Sequence, residues 1–299
     1  MKRKKLSVLG LFSGIGAFEL GLQRAGMDIK AYCEIEEPCL KVLRKNFSKA
    51  VEYTNVKTVD PKGYDVMCGG FPCTDISIAG KNKGLLDGEK SSLWREYKAS
   101  IETGKPKYAI IENVSGLLGR GLEIILQDLA EIGYDAAWTT FDSKYFGVPQ
   151  RRRRVYIVAV RDGIPAESDF FQCGQRDPEL QSHAEKILAV NQGFGWDFTQ
   201  GERERQGFTF LTRQRSDEYS EIGLSGTLAK RDYKAKTDVV VGQGFVRRVA
   251  PNERLLLQGL EIDWWDGCEL TDTQKYMFSG MTVPVVKHIG KCILEFDNV

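Results

Sequence analysis

Ser7-Val8-Leu9-Gly10-Leu11-Phe12-Ser13-Gly14-Ile15-Gly16-Ala17 sets an apolar run against a glycine turn, and the turn against a helical pattern continuing to Ala25. Ser7 to Phe12 reads as a short buried strand, and Ala17 to Ala25 carries apolar residues at helical spacing. Outward from there, Ile29 to Cys33 is a second strand and Glu37 to Asn46 a second helix. Tyr64 to Cys68 and Tyr108 to Ile111 are further apolar strands, each ending in a polar or glycine-rich turn. A helix from Leu122 to Ile132 and strands around Ala137–Phe141 and Val155–Val160 continue the alternation. Apolar strands alternating with helices imply an α/β fold, with a parallel sheet covered on both faces. Ligands then bind beyond the carboxyl ends of the strands. After about Asp162 the periodicity weakens, and 163 to about 244 reads as a loop-rich second domain without a basic excess. Regularity returns near Val249, and Val283 to Phe296 is expected to form a final strand–helix pair returning to the sheet.

The chain has 299 residues, enough for one large domain or two modest ones. Hydrophobic residues at 42% and charged residues at 28% exclude a disordered chain. Lys+Arg 42 against Asp+Glu 41 gives a net charge of +1, which excludes coating of nucleic acid by bulk charge but leaves a local basic patch open. No apolar run nears the roughly 20 residues of a membrane helix. The apolar stretch behind Met1-Lys2-Arg3-Lys4-Lys5 breaks at Ser13-Gly14, unlike a signal peptide, so no membrane partner is expected. Seven cysteines without Cys-x-x-Cys spacing point to a reducing, cytoplasmic compartment. His183 and His288 are the only 2 histidines, which counts against a histidine base or a histidine-rich metal site; no metal is expected.

Four segments carry the chemistry. Gly14 and Gly16 let the backbone turn tightly near a ligand, and the helix start offers free N–H groups. Glu34 follows Gly14 by about 20 residues, where a carboxylate bonds ribose hydroxyls in nucleotide-binding βαβ units. Gly69-Gly70-Phe71-Pro72-Cys73 places a thiol on a loop at the ligand edge, whereas Cys33, Cys68 and Cys292 lie in apolar segments and read as inert hydrophobes. Glu112, after the strand ending at Ile111, can bond a ring nitrogen or move a proton. In Gln150-Arg151-Arg152-Arg153-Arg154, an extended backbone points Gln150, Arg152 and Arg154 to one side and Arg151 and Arg153 to the other.

Phe12-x-Gly14-x-Gly16, Gly70-Phe71-Pro72-Cys73, Glu112-Asn113-Val114 and Gln150-x-Arg152-x-Arg154 occur in the order used by the cytosine-C5 DNA methyltransferases of bacteria and phages, a family that the chain resembles from about residue 6 to 296. The stretch from Arg248 to Gly259 and Gly280-Met281-Thr282-Val283-Pro284-Val285 resemble that family's closing segments. The resemblance implies a Rossmann-like S-adenosylmethionine-dependent methyltransferase fold with a smaller, loop-rich target-recognition domain. It puts a catalytic domain at 1–165 plus 279–299 and target recognition at 166–278. It implies that Cys73 attacks C6 of a flipped-out cytosine, Glu112 contacts N3 and the amine, Arg154 the base oxygen, and Arg152 the closed catalytic loop. Cofactor contacts carried over are Phe12, Ser13, Gly14, Ile15, Gly16, Glu34, Ile35, Asn55, Val56, Pro72, Leu93, Met281, Thr282 and Val283. Double-stranded DNA is the implied partner, touched by Gln150, Thr227, Leu228, Arg213, Arg215, Lys230 and Arg231. A monomer is expected, with a cognate restriction endonuclease as a partner that the family admits.

Two positions depart from the family pattern. Asn55-Val56 stands where many members have Asp-Ile, and Gly280-Met281 where Gly-Asn is common. Asn55 accepts a hydrogen bond without charge, and Met281 cannot supply the missing amide. Three alternatives compete: a tRNA methyltransferase of the same fold, a catalytically silent DNA-binding homologue, and a dinucleotide-dependent oxidoreductase. The Cys-Phe-Thr tripeptide of the RNA branch is absent, Cys73 and Glu112 are both present, and the oxidoreductase reading leaves Pro72-Cys73 and Gln150 to Arg154 unexplained.

Overall fold

Strand β1 (Ser7–Leu11) is buried at every position, as an apolar strand flanked on both sides must be. The computed structural model describes residues 4–72, 91–164, 170–171, 209–212, 238–242, 245–278 and 280–298. After β1 come α1 (Ala17–Ala25), β2 (Asp28–Cys33), α2 (Glu37–Asn46), β3 (Val51–Tyr53), β4 (Val66–Gly69) and α3 (Ser91–Gly104). The alternation continues through β5 (Tyr108–Val114), α4 (Leu122–Glu131), β6 (Asp135–Asp142) and β7 (Arg153–Val160). These strands form a seven-stranded sheet in the order β3-β2-β1-β4-β5-β7-β6. Beneath α3 and α4 the core gathers Leu9, Met67, Ile111, Ile157, Trp94 and Tyr97, all at most 2% exposed.

β1 pairs in parallel with β2 on one side and β4 on the other. The winding direction therefore reverses between β1 and β4, and the loops leaving these two strands diverge. Such a reversal opens a crevice at the carboxyl edge, where α/β sheets bind ligands. The loops concerned hold Phe12 to Gly16 and Gly70 to Pro72.

The sheet is not wholly parallel as expected: β7 runs antiparallel to β5. The link 143–152 between β6 and β7 holds one short 3-10 turn (Ser143–Phe146) and no crossover helix, so β7 enters reversed. The closing strand–helix pair is also corrected, because Val283–Phe296 is one helix. Val283, Val285 and Val286 are β-branched and read as strand, but Pro284 is tolerated in a first helical turn and Val286, Ile289 and Ile293 share one buried stripe.

By compactness the chain divides into Met1–Phe141, Arg153–Cys173 and Val286–Val299 on one side, and Asp142–Arg152 with Gly174–Val285 on the other. In the first unit the C-terminal helix packs on α1 so closely that a Cβ at Gly290 would lie 2.6 Å from Ala25. Asp297 at its end accepts from Lys107 Nζ (2.6 Å) and Tyr108 Oη (3.0 Å). The second unit contains an antiparallel three-stranded sheet of β8 (Thr209–Thr212), β9 (Asp238–Gly242) and β10 (Phe245–Arg248). It also holds α5 (Pro251–Leu257) and α6 (Asp272–Met277), leaving α7 for Val283–Phe296. Among the described residues, no helix is long and apolar enough to cross a membrane.

Candidate active site

The turn after β1 is held in an uncommon backbone. Phe12 has φ 56°, a left-handed value that costs a non-glycine residue about 1–3 kcal/mol and clusters at functional sites. Its ring meets Tyr97 edge-on with centroids 6.1 Å apart. Gly16 has φ 86°, and a Cβ there would also sit 2.6 Å from the Phe47 ring, so only glycine fits. Ser13 N–H donates to Cys33 O (3.0 Å), tying the turn to the end of β2.

Glu34, directly after β2, clamps the same turn. Its Oε2 accepts from Gly14 N–H (2.7 Å), while Oε1 accepts from the N–H groups of Ile35 (2.7 Å) and Glu36 (2.9 Å). A carboxylate has about four acceptor sites, so hydroxyl donors can still be taken. Ile35 beside it is 77% exposed, an apolar surface at the carboxyl edge. Asn55 caps the 3-10 turn Val56–Thr58, its Oδ1 accepting from Lys57 N–H at 3.0 Å, so its own backbone already uses the acceptor offered to a ligand. Val56 is half-buried against the core.

On the β4 side, Phe71 is buried and stacks at a tilt on Trp94, centroids 5.7 Å apart, while Pro72 is exposed. Trp94 continues to Tyr97 at 6.0 Å, so one aromatic row joins Phe71 to Phe12 through α3. Leu93 lies half-buried beside that row. Cys73 lies outside the described residues, as do Arg213, Arg215, Thr227, Leu228, Lys230 and Arg231. Cys33 and Cys68 are free and buried, and burial pushes both thiols up, Cys33 to about 12. Cys292, expected to be an inert hydrophobe, is buried, with its Sγ 3.9 Å from Phe171 O.

β5 is longer than its apolar run and carries Glu112 and Asn113 within the strand. Asn113 Nδ2 donates to Phe71 O (3.2 Å) and its Oδ1 accepts from Val114 N–H (2.9 Å). The segment leading to Cys73 is thereby tied to the end of β5. Asn113→Ala removes that tie and leaves buried groups unpaired. The expected result is a drop of a few degrees in melting temperature, measured by differential scanning calorimetry.

Register fixes the next pair. Val114 stands opposite Arg154 and Glu112 opposite Tyr156, so Glu112 and Arg154 are diagonal neighbours on one face. Arg154 Nε lies 3.2 Å from Glu112 Oε1, with side chains 13% and 10% exposed. Arg153 turns to the other face and donates to Thr140 Oγ1 (3.2 Å). The alternation reaches back through the link, with Gln150 and Arg152 buried while Arg151 and Arg153 are exposed. Ser143 Oγ bonds the carbonyls of Gln150 (3.1 Å) and Arg152 (3.2 Å), and Arg152 N–H donates to Asp142 Oδ1 (3.1 Å). Gln150 is 0% exposed with neither amide atom hydrogen-bonded, so a DNA contact from it requires this segment to open.

In the second unit, Gln258 organises the closing segment. Its Oε1 accepts from Gly280 N–H (2.6 Å) and its carbonyl from Val283 N–H (2.9 Å), with Met281 and Thr282 buried between. Sequence reasoning assigned no role to Gln258, Asn113, Trp94 or Tyr97. It also passed over Glu19, whose signal was an acid inside the apolar run Ala17 to Leu22.

A family model for C-5 cytosine-specific DNA methylases matches residues 6–295. The type II methyltransferase M.HpaII of Haemophilus parainfluenzae is 26% identical over 331 residues, covering 98% of this chain and 90% of that protein. The orphan methyltransferase M.SPRI of Bacillus phage SPR is 30% identical over 198 residues, covering 62% of this chain and 45% of that protein. Including M.SPRI, the matches span 45%, 39% and 52% of the lengths of three such relatives, about half or less. Among solved structures, the Entamoeba histolytica methyltransferase EhMeth superposes with a TM-score of 0.70 at 16% identity, covering 98% of this chain and 99% of that one, which speaks to the fold. With residues 6 to 295 accounted for by one model, on a Rossmann-like sheet whose crevice gathers the glycine turn, Glu34 and the Glu112–Arg154 pair, the chain belongs to the C-5 cytosine-specific DNA methylase family.

Proposed function

We propose that this chain is a DNA (cytosine-5-)-methyltransferase acting on a cytosine rotated out of duplex DNA. The observation that carries the reading is the Glu112–Arg154 pair, 3.2 Å apart at the carboxyl edge of the sheet, on the strand that Asn113 ties to the Phe71-Pro72 approach to Cys73. C5 of cytosine lies within the base stack, and extrusion costs a few kcal/mol. Cys73, as thiolate, adds to C6. Glu112 holds N3 and the exocyclic amine, favouring a ring protonated at N3 that tolerates the added electron pair. Arg154 meets the base oxygen, and Arg152 holds the catalytic loop closed. C5 becomes nucleophilic through this addition, and loss of its proton with departure of Cys73 restores the ring.

The residues of the glycine turn fit S-adenosylmethionine. Space is open above Gly14, and Glu34 retains acceptor capacity. When bound, that cofactor supplies the methyl group. Phe12, Ser13, Gly14, Ile15, Gly16, Glu34, Ile35, Asn55, Val56, Pro72 and Leu93 would hold it, with Met281, Thr282 and Val283 as further contacts. Met281→Asn is expected to tighten S-adenosylmethionine binding several-fold by titration calorimetry; an unchanged Kd means that the missing amide does not limit affinity.

Residues 166–278 are proposed as the target-recognition domain, with Gln150, Arg213, Arg215, Thr227, Leu228, Lys230 and Arg231 on DNA. The protein is proposed to act in the cytoplasm as a monomer, with a cognate restriction endonuclease as partner. Labelled methyl transfer to mixed-sequence duplex DNA and to total tRNA tests the reading. Label in DNA supports it, label in tRNA alone moves the chain to the RNA branch, and label in neither favours the silent homologue.

A further inference from the structure

Glu19 is the third residue of α1 and is 0% exposed. Neither carboxyl oxygen has a hydrogen-bond partner of good geometry. Gly10 on β1 makes room for it: a Cβ at Gly10 would fall 1.9 Å from Glu19 Oε1 and 3.1 Å from Ser13 Oγ. The carboxyl group thus fills the space beside β1, next to the buried Ser13 hydroxyl of the glycine turn. One neutral hydroxyl leaves most of the acceptor capacity of a fully buried carboxylate unused, so the group can still take a charged donor from a ligand.

The charge of that group follows from the surroundings. The titratable neighbours are Glu34 at the end of β2 and Cys68 on β4. Cys68 stays neutral, because burial and then the Glu19 charge hold its thiol well above the usual range. No salt-bridge cation reaches Glu19 among the described residues. An acid so placed is stabilised in its ionised form by a cation.

We propose that the Glu19 carboxylate is the counter-charge for the cationic methionine end of bound S-adenosylmethionine. This rests on the reading that S-adenosylmethionine occupies the glycine turn. Burial, opposed by the Ser13 hydroxyl and aided by Glu34, pushes the free Glu19 carboxyl up to about 7. Below that pH the free protein carries the proton, and a bound cation favours the carboxylate, so binding releases the proton to solvent. Affinity therefore rises with pH up to about 7 and then levels.

Calorimetry of S-adenosylmethionine binding to the wild-type protein at pH 6, in buffers of different ionisation enthalpy, is expected to show close to one proton released per cofactor bound. 5′-Methylthioadenosine, which lacks the amino acid and the charge, should release none. S-Adenosylhomocysteine, which keeps the ammonium but not the sulfonium, tells which cation is met: release with it assigns the ammonium. Glu19→Gln should weaken S-adenosylmethionine about 30-fold at pH 7.5 and flatten the pH profile. Gly10→Asp combined with Glu19→Ala, which returns a carboxylate from β1, should recover most of the affinity and covers a Glu19→Gln protein that folds poorly. No proton release by the wild type, or a Glu19→Gln profile parallel to it, overturns the proposal. Wild-type protein that binds no S-adenosylmethionine at any pH overturns the cofactor reading itself.

Discussion

On the proposed mechanism, replacing Cys73 with alanine is expected to reduce methyl transfer to DNA by roughly 10⁴-fold or more, while S-adenosylmethionine binds with unchanged affinity. The size of the loss follows from the base. C5 of cytosine is a poor methyl acceptor until a nucleophile has added at C6, so removing the nucleophile removes the step and not merely some transition-state stabilisation. Neither Cys33 nor Cys68 substitutes for it, since both are buried with thiols pushed up. Cys39, buried on α2, supplies the control, and Cys39→Ala keeps wild-type transfer rates. Duplex DNA with 5-fluorocytosine at the target traps the wild-type protein as an adduct that survives denaturant, because fluorine cannot leave as the C5 proton does. The alanine variant forms none. Equal methylation by wild type and Cys73→Ala would refute a covalent route through this residue, and the absence of an adduct with active wild type would do so independently.

What was legible in the sequence is what local chemistry dictates. Glycines at a strand–helix junction, a carboxylate one βαβ unit later and alternating side chains from Gln150 to Arg154 all read directly, because each depends on spacing along one segment. Strand β7 was read as a strand but not as a reversed one, since direction is set by the length of the link 143–152 and not by the strand's own residues. The closing helix was obscured by valines whose β-branching favours strands, although the apolar stripe Val286, Ile289 and Ile293 was present. Asn113 and Gln258 escaped because each acts across the chain, on Phe71 and on Gly280, and a side-chain bond to a distant backbone leaves no pattern in sequence. Glu19 was visible as an acid in an apolar run, but its meaning needed the space left by Gly10.

Glu112→Gln lowers the rate of methyl transfer about 10²- to 10⁴-fold in single-turnover assays, with little change in DNA or cofactor affinity. Glutamine is isosteric and still accepts from the cytosine amine, but it cannot give or share the N3 proton that makes the ring an electron sink. The loss therefore falls on chemistry. The variant also leaves Arg154, 13% exposed, beside a neutral amide in place of the carboxylate 3.2 Å away. An uncompensated guanidinium in a partly buried place destabilises, so the melting temperature drops by a few degrees. Arg154→Ala separates the two effects. It removes the stranded charge and loses the contact to the base oxygen, so its rate falls while Glu112 remains to hold N3. In the double variant the losses are less than additive if the pair acts on the base as a unit, because removing either partner already disables the shared contact. Strict additivity, or a Glu112→Gln variant that transfers at the wild-type rate once its melting temperature is allowed for, would reduce the pair to an ion bridge that holds β5 to β7.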